Sequence, residues 1–372
     1  MIPRRNRFGE RLHGAVMHPI QISLVVGRKG SGVSTLLDAF SRRADVENTT
    51  IIDGLAGLTE TWDAATIAAW LKQAQPNTSH VVLAANDPKA PRLLLQALTG
   101  DPAWGSTFRL SSVTAVASAL TLTEAAGCVC AGSDGTAERE EARGSKLVAD
   151  PKLHRFFATA DRLILTHTDR VRPDAVTQLA KQLKALNPPA PILRGRNGDI
   201  GPARLVDSGL FDPVDGSIDI DRWLCEAAFG FEASRRGVSA PKLGEVQSTL
   251  GRSAGGVQSF AVTIDQPLDS TVLSVFLKLL MADRGADLLR LKGIVAIEDH
   301  PDRPALIDGR EHLIQPLLWL PAWPTADRRG RLVFTTADTT EAWIRTLLTT
   351  LSDQLKLQAM PELQMAMVRE VG

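Results

Sequence analysis

The sequence predicts a parallel, doubly wound α/β sheet followed by a smaller α+β domain. Three observations carry that prediction. Short apolar runs alternate with amphipathic stretches from residue 19 to residue 200. The first run leads through a glycine-rich turn straight into a helix pattern. After residue 257 the pattern changes to strand, helix and then several strands.

Ile20 to Val26 is apolar on both faces, as a buried parallel strand must be. Ser34 to Arg43 places Leu36, Leu37 and Phe40 on one helical face. Thr49 to Ile52, His80 to Ala85, Val113 to Ala119, Arg162 to Thr166 and Pro191 to Leu193 supply further strands. Helices are expected at Ala64 to Ala74, Leu93 to Leu98, Pro151 to Ala160 and Ala175 to Leu186, with a polar loop from Gly132 to Ser145. The repeated β–α unit makes a doubly wound sheet. Residues 201–256 are rich in Gly, Pro, Ser and Asp around one helix-like piece, Ile220 to Phe229, and read as a connector. Strands then follow at Ser259 to Ile264, Leu288 to Ile297, Ala305 to Ile314 and Leu332 to Thr336, with helices at Ser270 to Met281 and Thr340 to Leu351. The expected organisation is an N-terminal arm at 1–18, an α/β domain at 19–200, the connector, an α+β domain at 257–352 and a tail at 353–372.

Composition excludes several classes. The 42 basic residues balance 42 acidic ones, so there is no field to attract nucleic acid, and aromatic residues make up only 5% with no Tyr. Three cysteines in 372 residues exclude a disulfide scaffold. No apolar run approaches the roughly 18–20 residues a membrane span requires. The arginines near the N-terminus precede no apolar signal segment, so the expected location is the cytoplasm. No nucleophile elbow and no H-E-x-x-H zinc motif occurs, and no catalytic residue is assigned.

The motif with chemistry is Gly27-x-x-x-x-Gly32-Val33-Ser34. Its spacing, after a strand and before a helix, is that of a phosphate-binding P-loop. Gly27, Gly30 and Gly32 let backbone N–H groups face phosphate, Ser31 lies among them, and the helix start adds positive potential. Ser34 is placed to hold Mg²⁺ and Thr35 to touch a second phosphate. The lysine that follows the last glycine in such loops is Val33 here. An apolar side chain cannot neutralise the β/γ-phosphates, which leaves Lys29 either a solvated loop residue or a substitute cation. Cys128-Val-Cys130 has three readings: a pair of small loop or helix-end residues, two thiolate ligands that would need Cys225, His154 or His167 to complete a metal site, or a redox pair. Arg290 and Lys292 alternate along a strand and share one face, by default a solvated one and otherwise a partner surface.

Leu288-Leu-Arg-Leu-Lys-Gly293, Asp308-Gly-Arg-Glu-His312, Leu320-Pro-Ala-Trp-Pro324 and Arg328-Arg-Gly-Arg-Leu-Val-Phe334 occur in that order. Together with the P-loop and Ala160-Asp-Arg-Leu-Ile-Leu-Thr-His-Thr-Asp169, they resemble the CobW family of P-loop GTPases, metallochaperone-like proteins tied to cobalt and zinc handling. The resemblance implies that GTP and Mg²⁺ bind at the loop. It also implies that Asp169 reads guanine, whose N1 and N2 donors adenine lacks, with His167 where the family has a lysine. A zinc or cobalt connection, and a client metalloprotein met through the C-terminal domain, are likewise implied by the family alone. Besides His167, the chain departs from the pattern at three places. Val33 replaces the lysine, no C-x-C-C motif stands in the matching stretch Asp53 to Leu58, and Ala84-Ala-Asn-Asp-Pro88 lacks the glutamate after the buried strand, with Asp87 nearest to it. The expectation is a GTP-binding protein with weak or absent hydrolysis; the alternative is a pseudo-GTPase that serves as a protein-binding scaffold.

Overall fold

The computed structural model describes residues 19–42, 49–54, 64–72, 78–125, 151–187, 190–195, 200, 220, 223–224 and 257–354. The N-terminal arm, the 132–145 loop, most of the connector, Cys128, Cys130, Cys225, the side chain of His154 and the tail from residue 355 lie outside them.

Six parallel strands form the first sheet: β1 (Ile20–Gly27), β2 (Thr49–Asp53), β3 (His80–Ala85), β4 (Phe108–Ser118), β5 (Arg162–Thr166) and β6 (Ile192–Arg194), in the order β2-β3-β1-β4-β5-β6. Helices α1 (Val33–Ser41), α2 (Ala64–Leu71), α3 (Ala90–Gly100), α4 (Pro102–Thr107), α5 (Ala119–Ala125), α6 (Pro151–Thr159) and α7 (Pro173–Leu186) connect them. Alternation along β1 explains the two layers. Ile22, Leu24 and Val26 face one core with Leu94, Leu179 and Leu183, whereas Val25 faces the other with Leu36 and Phe40 of α1. The direction of chain progression reverses at β1, so its C-terminal end opens the crevice where such sheets hold ligands.

Strand β4 starts five residues before the expected Val113. Ser111 and Ser112 hide it from an apolar-run reading, yet both are buried and satisfied. Ser111 Oγ donates to the Ile22 carbonyl at 2.9 Å, and Ser112 Oγ meets Ser23 Oγ at 2.8 Å. Helix α4, also unexpected, starts where Asp101 accepts the Ala103 N–H at 2.8 Å.

The second sheet is antiparallel: β7 (Gln258–Ile264), β8 (Leu288–Val295), β9 (Ala305–Arg310), β10 (Leu313–Ile314) and β12 (Gly330–Thr336) in the order β10-β9-β8-β12-β7, with β11 (Leu318–Trp319) paired to β9. β12 lies antiparallel between β7 and β8, so α8 (Ser270–Arg284) closes a split βαβ unit. Asp269 caps α8 by accepting the N–H groups of Thr271 and Val272. One sheet face, with Phe260, Leu291, Ile307, Leu332 and Phe334, is covered by α8 and by α9 (residues 341–354). The single strand expected from Ala305 to Ile314 is instead a hairpin, because Glu311 takes a left-handed backbone (φ 52°) that turns the chain at His312.

The opposite face corrects the reading of Arg290 and Lys292. Neither side chain is solvated, at 8% and 1% exposure. Arg290 and Arg310 each pair with one oxygen of Asp161, at the start of β5 in the first sheet. The same carboxylate accepts the Val113 N–H at 2.7 Å, and Arg310 donates to the Thr159 carbonyl at 2.9 Å. Burial works to raise the Asp161 pKa, but Arg290, Arg310, Lys292 and the Val113 N–H hold it well below the usual carboxylate range. Lys292 lies over the Trp223 ring at 4.7 Å. Burial, with Arg290 beside it, pushes its pKa down to about 7 against the opposing pull of Asp161 and Asp308. Farther along the seam, the Gln315 side chain accepts from the Leu110 N–H and donates to the Leu110 carbonyl, both at 2.9 Å. It thereby satisfies β4 before its pairing with β5 begins. Arg109 donates to the Pro316 carbonyl at 3.1 Å, and Arg155 of α6 pairs with Glu311 at 2.7 Å.

Candidate nucleotide site

The C-terminal ends of β1, β4 and β5 meet at one edge of the parallel sheet. Gly27 closes β1 in a position that admits no side chain. A Cβ there would collide with Ser31 Oγ and come within 2.8 Å of both the Val116 carbonyl and Val33 Cγ2. The loop turns at Arg28, whose carbonyl accepts the Ser31 N–H at 2.9 Å. Gly30 and Gly32 take φ values of 82° and 89°, which glycine adopts without strain. Helix α1 then begins with no side-chain cap on its first N–H groups. Ser31 Oγ is buried and has no hydrogen-bond partner. A buried hydroxyl left unsatisfied beside an uncapped helix start suits a bound anion.

Ser34 and Thr35 are exposed in the first turn of α1, and Lys29 is exposed on the loop. Val33 turns away from solvent. It is 4% exposed and packs with Val25, Leu36 and Leu37 in the core on the α1 side. Asp87 sits in the turn after β3, where its carboxylate accepts the Lys89 N–H at 2.8 Å. It is engaged in a local turn.

His167 and Asp169 leave the end of β5 in a turn closed by the Arg170 N–H on the His167 carbonyl at 3.1 Å. Asp169 is exposed, whereas His167 is half-buried and takes a left-handed backbone, φ 53°. Two residues that the sequence reading did not assign fasten this turn. Thr166 Oγ1 donates to the Ser31 carbonyl at 2.6 Å, joining the end of β5 to the glycine loop. His167 Nδ1 lies 3.0 Å from Ser118 Oγ at the end of β4 and 3.2 Å from Thr166 Oγ1. No local pattern marks Ser118, because its partner is 49 residues away.

His312 sits in the β9–β10 turn against α8, close enough that a side chain on Gly285 would strike its Nδ1. Among the described residues, no group of three or more His, Cys, Asp or Glu stands where it could hold a metal ion. Among them too, no helix is long and apolar enough to cross a membrane.

Residues 257–352 match the family model described as the cobalamin synthesis protein CobW C-terminal domain. No curated protein matches the chain. Among solved structures, the Zn(II)-bound YjiA GTPase from E. coli is similar at 18% identity and a TM-score of 0.48, over 90% of this chain and 99% of that one. HypB from Helicobacter pylori in complex with nickel is similar at 13% identity and a TM-score of 0.31, over 49% of this chain and 80% of that one. Residues 257–352 thus resemble a CobW C-terminal domain by their family model, and in this chain they follow a parallel α/β unit that opens with a glycine-rich phosphate-type loop.

Proposed function

We propose that this protein binds a guanine nucleotide at the C-terminal edge of the parallel sheet and turns it over slowly or not at all. The observation that supports binding is the unsatisfied, buried Ser31 Oγ beside the loop that Gly27 keeps open. Backbone N–H groups from Lys29 to Thr35 and the start of α1 would hold the phosphates. Ser34 would hold Mg²⁺, which when bound supplies charge neutralisation to the phosphates. His167 and Asp169 would meet the base, with Asp169 accepting from guanine N1 and N2. Slow turnover follows from Val33, which is built into the core where a phosphate-reading lysine would otherwise arise, and from Asp87, whose carboxylate is engaged in a local turn. Those two observations also favour the second reading, a pseudo-GTPase that works as a binding or scaffold module. The metal connection, zinc or cobalt, and a client protein come from the family resemblance.

Calorimetric titration of metal-free protein with a non-hydrolysable GTP analogue, with and without Mg²⁺ and against the ATP analogue, tests the proposal. Micromolar, guanine-selective binding is expected. No binding at millimolar ligand would sink the nucleotide reading and leave the scaffold reading.

A further inference from the structure

His167 is held in a manner that reaches beyond the bare assignment of a base-binding residue. Its backbone is left-handed, a conformation uncommon outside glycine, though histidine is among the residues that adopt it more often. The Nδ1 edge of its ring points inward, at Ser118 Oγ (3.0 Å) and Thr166 Oγ1 (3.2 Å), and both of those residues are buried, at 5% and 6% exposure. The ring is half-buried, its hydrogen-bonding contacts are both at Nδ1, and among the described residues no hydrogen bond is found for Nε2.

The hydrogen-bond network assigns the proton. Thr166 Oγ1 lies against two carbonyls, Ser31 at 2.6 Å and Ala117 at 3.2 Å, so its one hydrogen goes to a carbonyl and toward His167 it can only accept. Ser118 Oγ accepts the Thr121 N–H at 3.3 Å and retains a lone pair for a second donor. The Ser118 hydroxyl can meet Nδ1 as donor or acceptor, so the Thr166 contact decides: it is satisfied when Nδ1 carries the proton, whereas the other tautomer would set two lone pairs against each other at the Thr166 oxygen. Nε2 is then a bare acceptor, as are the oxygens of Asp169 two residues on.

We propose that Ser118 is a positioning residue that fixes His167 in the Nδ1–H tautomer, and that His167 Nε2 accepts a hydrogen bond from an N–H or O–H donor on the base–ribose side of the nucleotide. A lysine at this position offers only donors, so His167 gives the site a different specificity. The inference rests on the nucleotide reading above and deepens it.

Nitrogen-15 NMR of the histidine rings in the unaltered protein reads the first half without any ligand. The Nδ1–H tautomer is expected for His167, and an Nε2–H ring would overturn the assignment. Titration with GDP reads the second half, with pyrophosphate as a ligand that carries phosphate alone. His167→Phe, which keeps a ring and removes the acceptor, is expected to weaken GDP about tenfold and leave pyrophosphate unchanged. Ser118→Ala is expected to weaken GDP in the same direction and to disturb the tautomer. The double variant is expected to lose no more than His167→Phe alone, because Ser118 acts through the ring. Equal GDP affinity in His167→Phe overturns the inference and leaves the nucleotide reading standing; no GDP binding by the unaltered protein overturns both. Inosine diphosphate and 2′-deoxy-GDP then identify the donor. The analogue lacking it should bind His167→Phe and the unaltered protein equally, and a tenfold gap kept with both analogues would count against a 2-amino or 2′-hydroxyl donor.

Discussion

The two ends of the parallel sheet put polar residues to opposite uses. At the C-terminal ends of β1, β4 and β5, Ser31, Ser34, Thr35, Lys29 and Asp169 surround an open edge, and one buried hydroxyl has no partner. At the N-terminal ends of β4 and β5, Arg109, Asp161, Arg290, Arg310 and Gln315 are all buried and engage one another or backbone groups across two domains. The first arrangement leaves capacity for a ligand. The second sets its charges against partners within the fold, Asp161 between two guanidinium groups and Arg109 on a carbonyl, which makes it a fastening. Strand β5 joins them, with Asp161 at its entry and Thr166 and His167 at its exit.

The most severe test of this contrast is Asp161→Ala. It would leave Arg290 and Arg310 buried without their carboxylate, so urea unfolding should show a loss of about 3–5 kcal/mol. A loss below about 1 kcal/mol would mean that the seam is solvated and that the contrast fails.

Acid sharpens the contrast next. His80, at the start of β3, meets Ser23 Oγ at 2.8 Å, and burial, then Arg162, lower its pKa from 6.5 to about 4. The unfolded chain takes up this proton first. Its contribution is therefore complete above pH 6.5 and is lost as the pH falls toward 4, by up to about 3 kcal/mol. Asp161, whose pKa is depressed, loses its contribution only at lower pH, below its ordinary 3.8. Stability followed by chemical denaturation from pH 7 to pH 3 should decline in those two stages, and His80→Gln should flatten the first.

Gln315→Ala removes both hydrogen bonds to Leu110 and leaves two backbone groups buried, for an expected loss of about 2 kcal/mol. It should leave nucleotide affinity unchanged, since the seam and the phosphate loop occupy opposite ends of β4. A parallel fall in affinity would show that the ends are coupled. The smallest expected effect is Val33→Lys, which should tighten the GTP analogue about tenfold, or about 1.4 kcal/mol, by titration. No change would indicate that a lysine stem starting in this core does not reach the phosphates.

Much of the fold was legible because it is written in local periodicity. The six parallel strands, the glycine loop and the strand–helix–strand succession of the second domain each leave a pattern within a few turns of chain. Strand β4 was read short where serines replaced apolar residues, and their satisfaction by Ile22 and Ser23 is a long-range fact. The site was legible in part. Gly27 to Thr35 announces itself by spacing and His167 to Asp169 by resemblance, while Ser118 and the role of Thr166 carry no local signal.

The sequence alone determined the order of elements, the place of the phosphate loop, the valine where a lysine is usual, and the motifs of the C-terminal domain. Tertiary structure decided what the charges and hydroxyls do. Arg310 finds Asp161 across 149 residues and His167 finds Ser118 across 49, separations at which periodicity says nothing. An arginine on an alternating strand looks the same in sequence whether water or a buried carboxylate receives it. Only packing removes the water, and with the water gone the same charge must be paired.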